Sequence, residues 1–427
     1  MAGVSGKLGT VREYLFMALV AAAVTFLLVP LVRRFAIRIG AMPEVRERDV
    51  HTTPIPRLGG LAMYGGLVAG LLVAGQLAKT GAVLAVDKTI VALIVAGGLI
   101  TFTGFLDDWW GMDPFIKLGG QIAAAGTLVY FDLRLIWLPL PSSWGGSYGL
   151  DSLLSTVITI LIVVIAINAV NFVDGLDGLA AGTVAIAAAA TWTYSVFLDQ
   201  AVEQNRINAT AAITAILIGV CLGFLPHNFH PSKIFMGDTG AMLLGLVLAS
   251  SLISVTSVDL STMGDINKFG VLLPLLLPVA VLVLPLTDLI TAVVRRTSMG
   301  LSPFAPDRGH LHHRLLDTGA SQRQTVLIMY AWSALFAFGL VTMSVWGVPF
   351  LLFPVVILLA IGLLLLVALP RWRNRGAPHS SARPKRPDDD DDGPPTGPMP
   401  PIPPSGEVTQ QVRRPDQGTV QSFRHNP

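Results

Sequence analysis

Apolar runs of similar length recur along most of this chain, and they restrict it to one kind of fold. They fall at about residues 14–32, 59–78, 90–106, 115–131, 152–170, 178–198, 208–225, 239–256, 269–294, 324–346 and 349–370, each near the roughly 20 apolar residues that a helix needs to cross a bilayer core. In hydrocarbon every backbone N–H and C=O must be satisfied inside the element, so such runs read as helices packed on one another. The expectation is an all-α integral membrane protein, a polytopic bundle of about eleven transmembrane helices. Composition agrees, with 52% hydrophobic and 13% charged residues, where a soluble globular domain carries about 25% charged. No nucleic-acid partner is expected of such a chain. The single cysteine, Cys221, excludes an intramolecular disulfide and a cysteine metal cluster. It lies inside an apolar run and reads as a packing residue. After the first run the sequence VPLVRRF has no small-residue cleavage pattern, so a retained first span is expected.

An odd number of spans puts the two termini on opposite sides, and basic residues in short loops decide which is which. With the N-terminus outside, the inner loops hold Arg33, Arg34, Arg38, Arg46, Arg48, Arg57, Lys117, Lys233, Arg295, Arg296, Arg308, Arg314 and Arg323. The outer segments then hold only Lys7, Arg12, Lys79, Lys88, Arg134, Arg206 and Lys268. This bias predicts an outside N-terminus, a cytoplasmic C-terminus and an active site on the cytoplasmic face. Residues 1–375 form the expected transmembrane domain. Residues 376–427, with the run Asp388 to Asp392 and many prolines, read as a disordered acidic tail that cannot offset its ordering entropy.

The polar side chains are concentrated in a few stretches. In NAVNFVDGLDGLA, Asn168, Asn171, Asp174 and Asp177 recur every third residue at the end of an apolar run, with Gly175 and Gly178 loosening a helix into a turn. Oxygen ligands at a membrane edge suit a hard cation such as Mg²⁺, with Mn²⁺ as its alternative; the bland reading is a polar turn. In GFLDDWWGMDPFIKLGG, Asp107 and Asp108 are adjacent and Lys117 follows. Adjacent carboxylates repel, which makes the pair a candidate base or metal site, or else a plain helix cap. In FMGDTG, Asp238 sits at a helix N-terminus among glycines, as a cap or as a holder of Mg²⁺ beside a phosphate. His227, Asn228 and His230 precede it without separable roles.

Two further loops look built for anions. PIPRLGG sets Arg57 before Gly59 and Gly60, glycines that serve either helix packing or approach to a phosphate. SPFAPDRGHLHHRLLDTG gathers Arg308, His310, His312, His313 and Arg314, whose spacing suits capture of phosphate oxygens better than a zinc site. Asp288, an acid within an apolar run, either pairs with Arg295 and Arg296 or serves the site.

With these blocks in this order, residues 50–320 resemble the polyprenyl-phosphate N-acetylhexosamine-1-phosphate transferases. PFAPDRGHLHHRL looks like the branch that uses UDP-N-acetylglucosamine, not the one that transfers phospho-N-acetylmuramoyl-pentapeptide, which stays as the alternative; a transporter or flippase of phosphorylated solutes is the alternative from another class. The resemblance implies attack by a lipid phosphate on the β-phosphorus of UDP-N-acetylglucosamine, with release of UMP. It implies Mg²⁺ on Asn171 and Asp238, Asp107 or Asp108 preparing the lipid phosphate, and Lys117 neutralising developing charge. Asp174 and Asp177 would face the nucleotide side, Asn168 and Arg57 would bind substrate, Arg57 through an anionic group, and Arg308, His310, His312, His313 and Arg314 would meet the pyrophosphate and sugar. A homodimer is left open. The acidic tail is no part of the family pattern, and Trp109, Trp110 and Gly111 stand where members vary.

Overall fold

Helices of membrane-spanning length dominate the computed structural model, in which the described residues are 2–42, 54–78, 80–86, 88–139, 147–202, 205–256, 297, 321–345 and 355. In chain order the elements are α1 (Ala2–Ile39), α2 (Gly59–Gln76), α3 (Thr80–Val86), α4 (Thr89–Trp110), α5 (Pro114–Tyr130), β1 (Trp137–Pro139), β2 (Ser147–Gly149), α6 (Ser152–Val173), α7 (Leu179–Val202), α8 (Asn205–Asn228), α9 (Gly237–Thr256) and α10 (Gln322–Val345). Among the described residues, eight helices are long and apolar enough to cross a membrane: α1, α2, α4, α6, α7, α8, α9 and α10. The run at 115–131 is also helical, and the 17 residues of α5, about 25 Å long, lie at the short end of the range that crosses a bilayer core. The spans expected at 269–294 and, apart from Val355, at 349–370 lie outside the described residues, as does the tail at 376–427. So do Arg46, Arg48, Asp288, Arg295, Arg296, Arg308, His310, His312, His313 and Arg314.

Three elements, α3, β1 and β2, have no counterpart in the hydropathy pattern. Helix α3 is held from α1, where the Glu13 carboxylate accepts the Thr80 amide N–H (3.1 Å) and hydroxyl (2.7 Å). Strands β1 and β2 pair antiparallel, Trp137 against Gly149 and Pro139 against Ser147. Three-residue strands have too few alternating positions to stand out against apolar helices.

Helix α9 is the centre of the bundle: α2, α4, α6, α7 and α8 all pack on it, and 94% of its membrane-length stretch is buried. Around it α1 lies on α2 and α8, α7 on α8, and α10 on α7. Because lipid tails are as apolar as leucine, helices in a membrane associate through close packing rather than hydrophobic burial. The α1–α8 contact shows this: a Cβ at Gly219 would lie 2.1 Å from the Ala18 carbonyl oxygen, and one at Gly223 2.3 Å from that of Ala22. Several hydroxyls inside the bundle bond carbonyls of their own helices, as Thr191 on Ala187 (2.9 Å) and Ser250 on Leu246 (2.8 Å) illustrate. Cys221 is fully buried as a packing residue.

Candidate active site

The C-terminal ends of α4, α6 and α8 and the N-terminal ends of α2, α5 and α9 meet at one end of the bundle, joined by hydrogen bonds among these helices and the loops beside them. Backbone pairing sets the frame. The Phe235 N–H donates to the Pro56 carbonyl (2.9 Å), the Gly59 N–H to that of Phe235 (2.9 Å) and the Gly60 N–H to that of Met236 (3.0 Å). A Cβ at Gly60 would fall 2.1 Å from the Gly240 nitrogen. Of the two uses open to these glycines, the contacts present are those of packing, and they draw α2 onto the first turn of α9.

That first turn is capped from another helix. The opening N–H groups of an α-helix have no partner inside it. Here Asp108 of α4 supplies one: Oδ1 accepts the Asp238 N–H (3.0 Å), and Oδ2 accepts the Thr239 N–H (2.9 Å) and hydroxyl (2.6 Å). The approach depends on Gly237, at φ +66°, where a Cβ would lie 2.3 Å from the Asp108 carboxylate.

Asp107 is turned elsewhere. Gly111, at φ +70°, ends α4, and Asp113 starts α5 by accepting the Phe115 N–H (2.8 Å) ahead of Pro114 at the first helical position. This reversal lays the first turn of α5 beside the last turn of α4. Asp107 Oδ1 then accepts the Met112 N–H (2.8 Å) and Oδ2 the Lys117 ammonium (2.9 Å). The same ammonium donates to Asp238 Oδ2, while Asp238 Oδ1 accepts the Asn171 amide. One cation thus joins α4, α5 and α9, and Asn171 ties in α6. Trp109 and Trp110, stacked with centroids 4.4 Å apart, are exposed beside it.

Helix α6 ends at Val173, so Asn168 and Asn171 are helical while Asp174 and Asp177 belong to the turn that follows. Asn168 donates to Gln121 Oε1 (2.7 Å), one turn beyond Lys117 on α5. Asp177 is buried, and its Oδ2 bonds His230 Nδ1 (2.8 Å) and accepts the Ser232 N–H (3.2 Å). Asn228 spans the same corner, accepting the Gly178 N–H (3.1 Å) and donating to the Ile234 carbonyl (3.0 Å). Tyr330 of α10 donates to the Gly178 carbonyl, and Arg323 to that of His230 (3.0 Å). The DGLDG turn and the loop before α9 are therefore locked together.

Asp174 shows the electrostatic state of the site. Burial, then the negative charges of Asp238 and Asp108, push its carboxyl up to about 8, with Arg57 pulling the other way. Among the described residues, Asp107, Asp108, Asp174, Asp177 and Asp238 outnumber Lys117 and Arg57 here. Among the described residues no three His, Cys, Asp or Glu side chains are arranged to hold a metal ion by themselves. The donors present, the Asp238 carboxylate and the Asn171 amide, fit a hard dication such as Mg²⁺ that keeps waters and shares substrate phosphate oxygens.

The structure thus brings Asp107, Asp108, Lys117, Asn171 and Asp238 into one hydrogen-bonded group, with Asn168 joined to α5 and Asp174 and Arg57 within electrostatic reach. Asp177 faces the loop before α9 instead. Gln121 was missed in the sequence, although a buried amide in an apolar helix, one turn past a lysine, is a signal. Tyr330 carried no signal, being an aromatic residue in an apolar helix.

Similarity to known proteins agrees with this geometry. The glycosyl transferase family 4 model matches residues 90–256. The chain is 43% identical over 330 residues to a decaprenyl-phosphate N-acetylglucosaminephosphotransferase of Mycolicibacterium smegmatis, covering 77% of this chain and 81% of that one. It is 44% identical over 330 residues to the protein of the same name from Mycobacterium leprae, covering 77% and 83%. An undecaprenyl-phosphate alpha-N-acetylglucosaminyl 1-phosphate transferase of Escherichia coli is 29% identical over 311 residues, 71% of this chain and 77% of that one. Membrane helices, a lysine held between aspartates of two neighbouring helices and these relatives together make the chain a member of glycosyl transferase family 4, among its polyprenyl-phosphate N-acetylglucosamine-1-phosphate transferases.

Proposed function

We propose that this protein transfers N-acetylglucosamine-1-phosphate from UDP-N-acetylglucosamine to a polyprenyl phosphate, leaving a polyprenyl-pyrophosphate-linked sugar and UMP. The observation that carries this reading is the Lys117 ammonium fixed between Asp107 and Asp238 at one end of an apolar bundle. Phosphoryl transfer asks mainly for positioning and charge neutralisation. An oxygen of the lipid phosphate attacks the β-phosphorus; the bond from that phosphorus to the bridging oxygen breaks, and UMP leaves with the electron pair. Asp107 orients the lipid phosphate and accepts any proton it carries. Lys117 faces the charge that develops on the transferred phosphoryl oxygens. Asn171 and Asp238 are the residues that would hold Mg²⁺, which when bound neutralises the diphosphate. Arg57 and Asp174 lie toward the nucleotide, and Arg308, His310, His312, His313 and Arg314 are assigned to the pyrophosphate and sugar.

We place this end of the bundle in the cytoplasm and the N-terminus outside. Arg33, Arg57, Lys117, Lys233 and Arg323 gather at the end that carries the site, as the Arg33 contact with the Lys233 carbonyl (2.9 Å) supports. Lys88 lies at the other end of α4, about 33 Å away for 22 residues.

The test is UMP release by the purified protein in detergent, with UDP-sugar binding followed calorimetrically in Mg²⁺. Asp238→Asn should remove dication-dependent turnover and weaken nucleotide binding. Asp107→Asn should lower kcat by about 10²- to 10⁴-fold while nucleotide affinity survives. Near-normal turnover of Asp238→Asn at ordinary Mg²⁺ concentrations would refute the assignment.

A further inference from the structure

We infer that Asp108 serves the reaction through Asp238, as a positioning residue that fixes the first turn of α9, and that it exchanges no proton with substrate. This rests on the proposed role of Asp238 and adds a division of labour between two adjacent acids. Both Asp108 oxygens are taken by α9: one holds the Asp238 N–H (3.0 Å), the other the Thr239 N–H (2.9 Å) and hydroxyl (2.6 Å). The two backbones are also in contact, since a Cβ at Gly104 of α4 would lie 2.5 Å from the Thr239 Cα. Asp107, one residue earlier and about 100° around the helix, meets instead the Lys117 ammonium and the Met112 N–H. Proton acceptance by Asp108 would remove the charge that strengthens its bonds to donors at the open first turn of α9. While those bonds hold, the Asp238 backbone is fixed, and its side chain is aimed between Lys117 and Asn171.

The consequence is that Asp108 and Thr239 act as one unit. The experiment compares Asp108→Asn, Thr239→Val, the double variant and Thr239→Ser, each in the full chain in detergent. Two quantities are read: Mn²⁺ affinity by electron paramagnetic resonance without lipid, and the pH profile of kcat/KM for UMP release. Losing a capping interaction should weaken Mn²⁺ binding and lower kcat/KM by about five- to thirty-fold in each single variant. The double variant should be no worse than Asp108→Asn alone, Thr239→Ser should recover most of the Thr239→Val loss, and the acid limb of the profile should stay in place. Loss of turnover in Asp108→Asn with Mn²⁺ affinity unchanged and Thr239→Val indistinguishable from the parent would overturn the inference and make Asp108 a proton acceptor. Should Asp108→Asn not fold, the Thr239 pair decides alone: no effect of Thr239→Val overturns the idea. If the parent protein binds no Mn²⁺ and needs no dication, the metal role of Asp238 fails separately. The double-variant comparison then decides on turnover, where additive losses count against coupling and non-additive losses support it.

Discussion

Adding one methyl group at Gly60 tests the packing that holds the site. The Cβ of Gly60→Ala would lie 2.1 Å from the Gly240 nitrogen, 2.3 Å from the Thr239 carbonyl carbon and 2.5 Å from the Gly240 Cα. All three are backbone atoms and none can rotate away. Ordinary contact needs at least 3.4 Å, so α2 and the first turn of α9 must separate by more than 1 Å. Overpacking of this kind costs about 1–3 kcal/mol. The displacement also stretches the Gly60 N–H bond to Met236, now 3.0 Å, a loss of about 1 kcal/mol. The expected destabilisation is therefore about 2–4 kcal/mol. Because the displaced turn carries Asp238, and misplacement by about 1 Å can cost about 10²-fold in rate, turnover should fall at least that far. Gly119→Ala is the control: it lies on α5, where a Cβ meets nothing within 4 Å, and should be neutral or stabilising by up to about 1 kcal/mol. Thermal unfolding in detergent and UMP release measure both variants. A Gly60→Ala protein with the parent's melting temperature and rate would refute the contact between α2 and α9.

Lys117→Met removes a cation that a metal ion must share with Asp238, so Mn²⁺ affinity should rise while turnover falls by about 10²- to 10³-fold; weaker Mn²⁺ binding would contradict the site's charge balance. For Asp174, the folded state holds a proton up to about pH 8 that the unfolded chain releases near its ordinary 3.8. The dication-free protein should therefore lose stability as pH rises between these values, and Asp174→Asn should flatten that dependence. Melting temperatures in EDTA at several pH values check this, and identical curves for the two proteins would refute it.

The membrane architecture was legible because a bilayer demands about 20 apolar residues per crossing, a requirement written directly into the order of residues. The polar site residues were legible for a related reason: Asn171, Asp174 and Asp238 interrupt apolar runs where polar and charged groups are costly to keep. Lys117 could be assigned to the same site from its loop. The division between Asp107 and Asp108 could not be read, because they are one residue apart in sequence and the difference between them lies in what each faces. A helical step of about 100° sends one toward α5 and the other toward α9. Nor could the use of Gly59 and Gly60 be read, since both helix packing and phosphate approach ask for a missing side chain. Those outcomes were decided by pairs far apart in the chain, Gly60 with Gly240, Asp108 with Thr239 and Tyr330 with Gly178. Each depends on where two helices cross and how each is rotated about its axis, quantities set by packing across the whole bundle rather than by any local stretch of sequence.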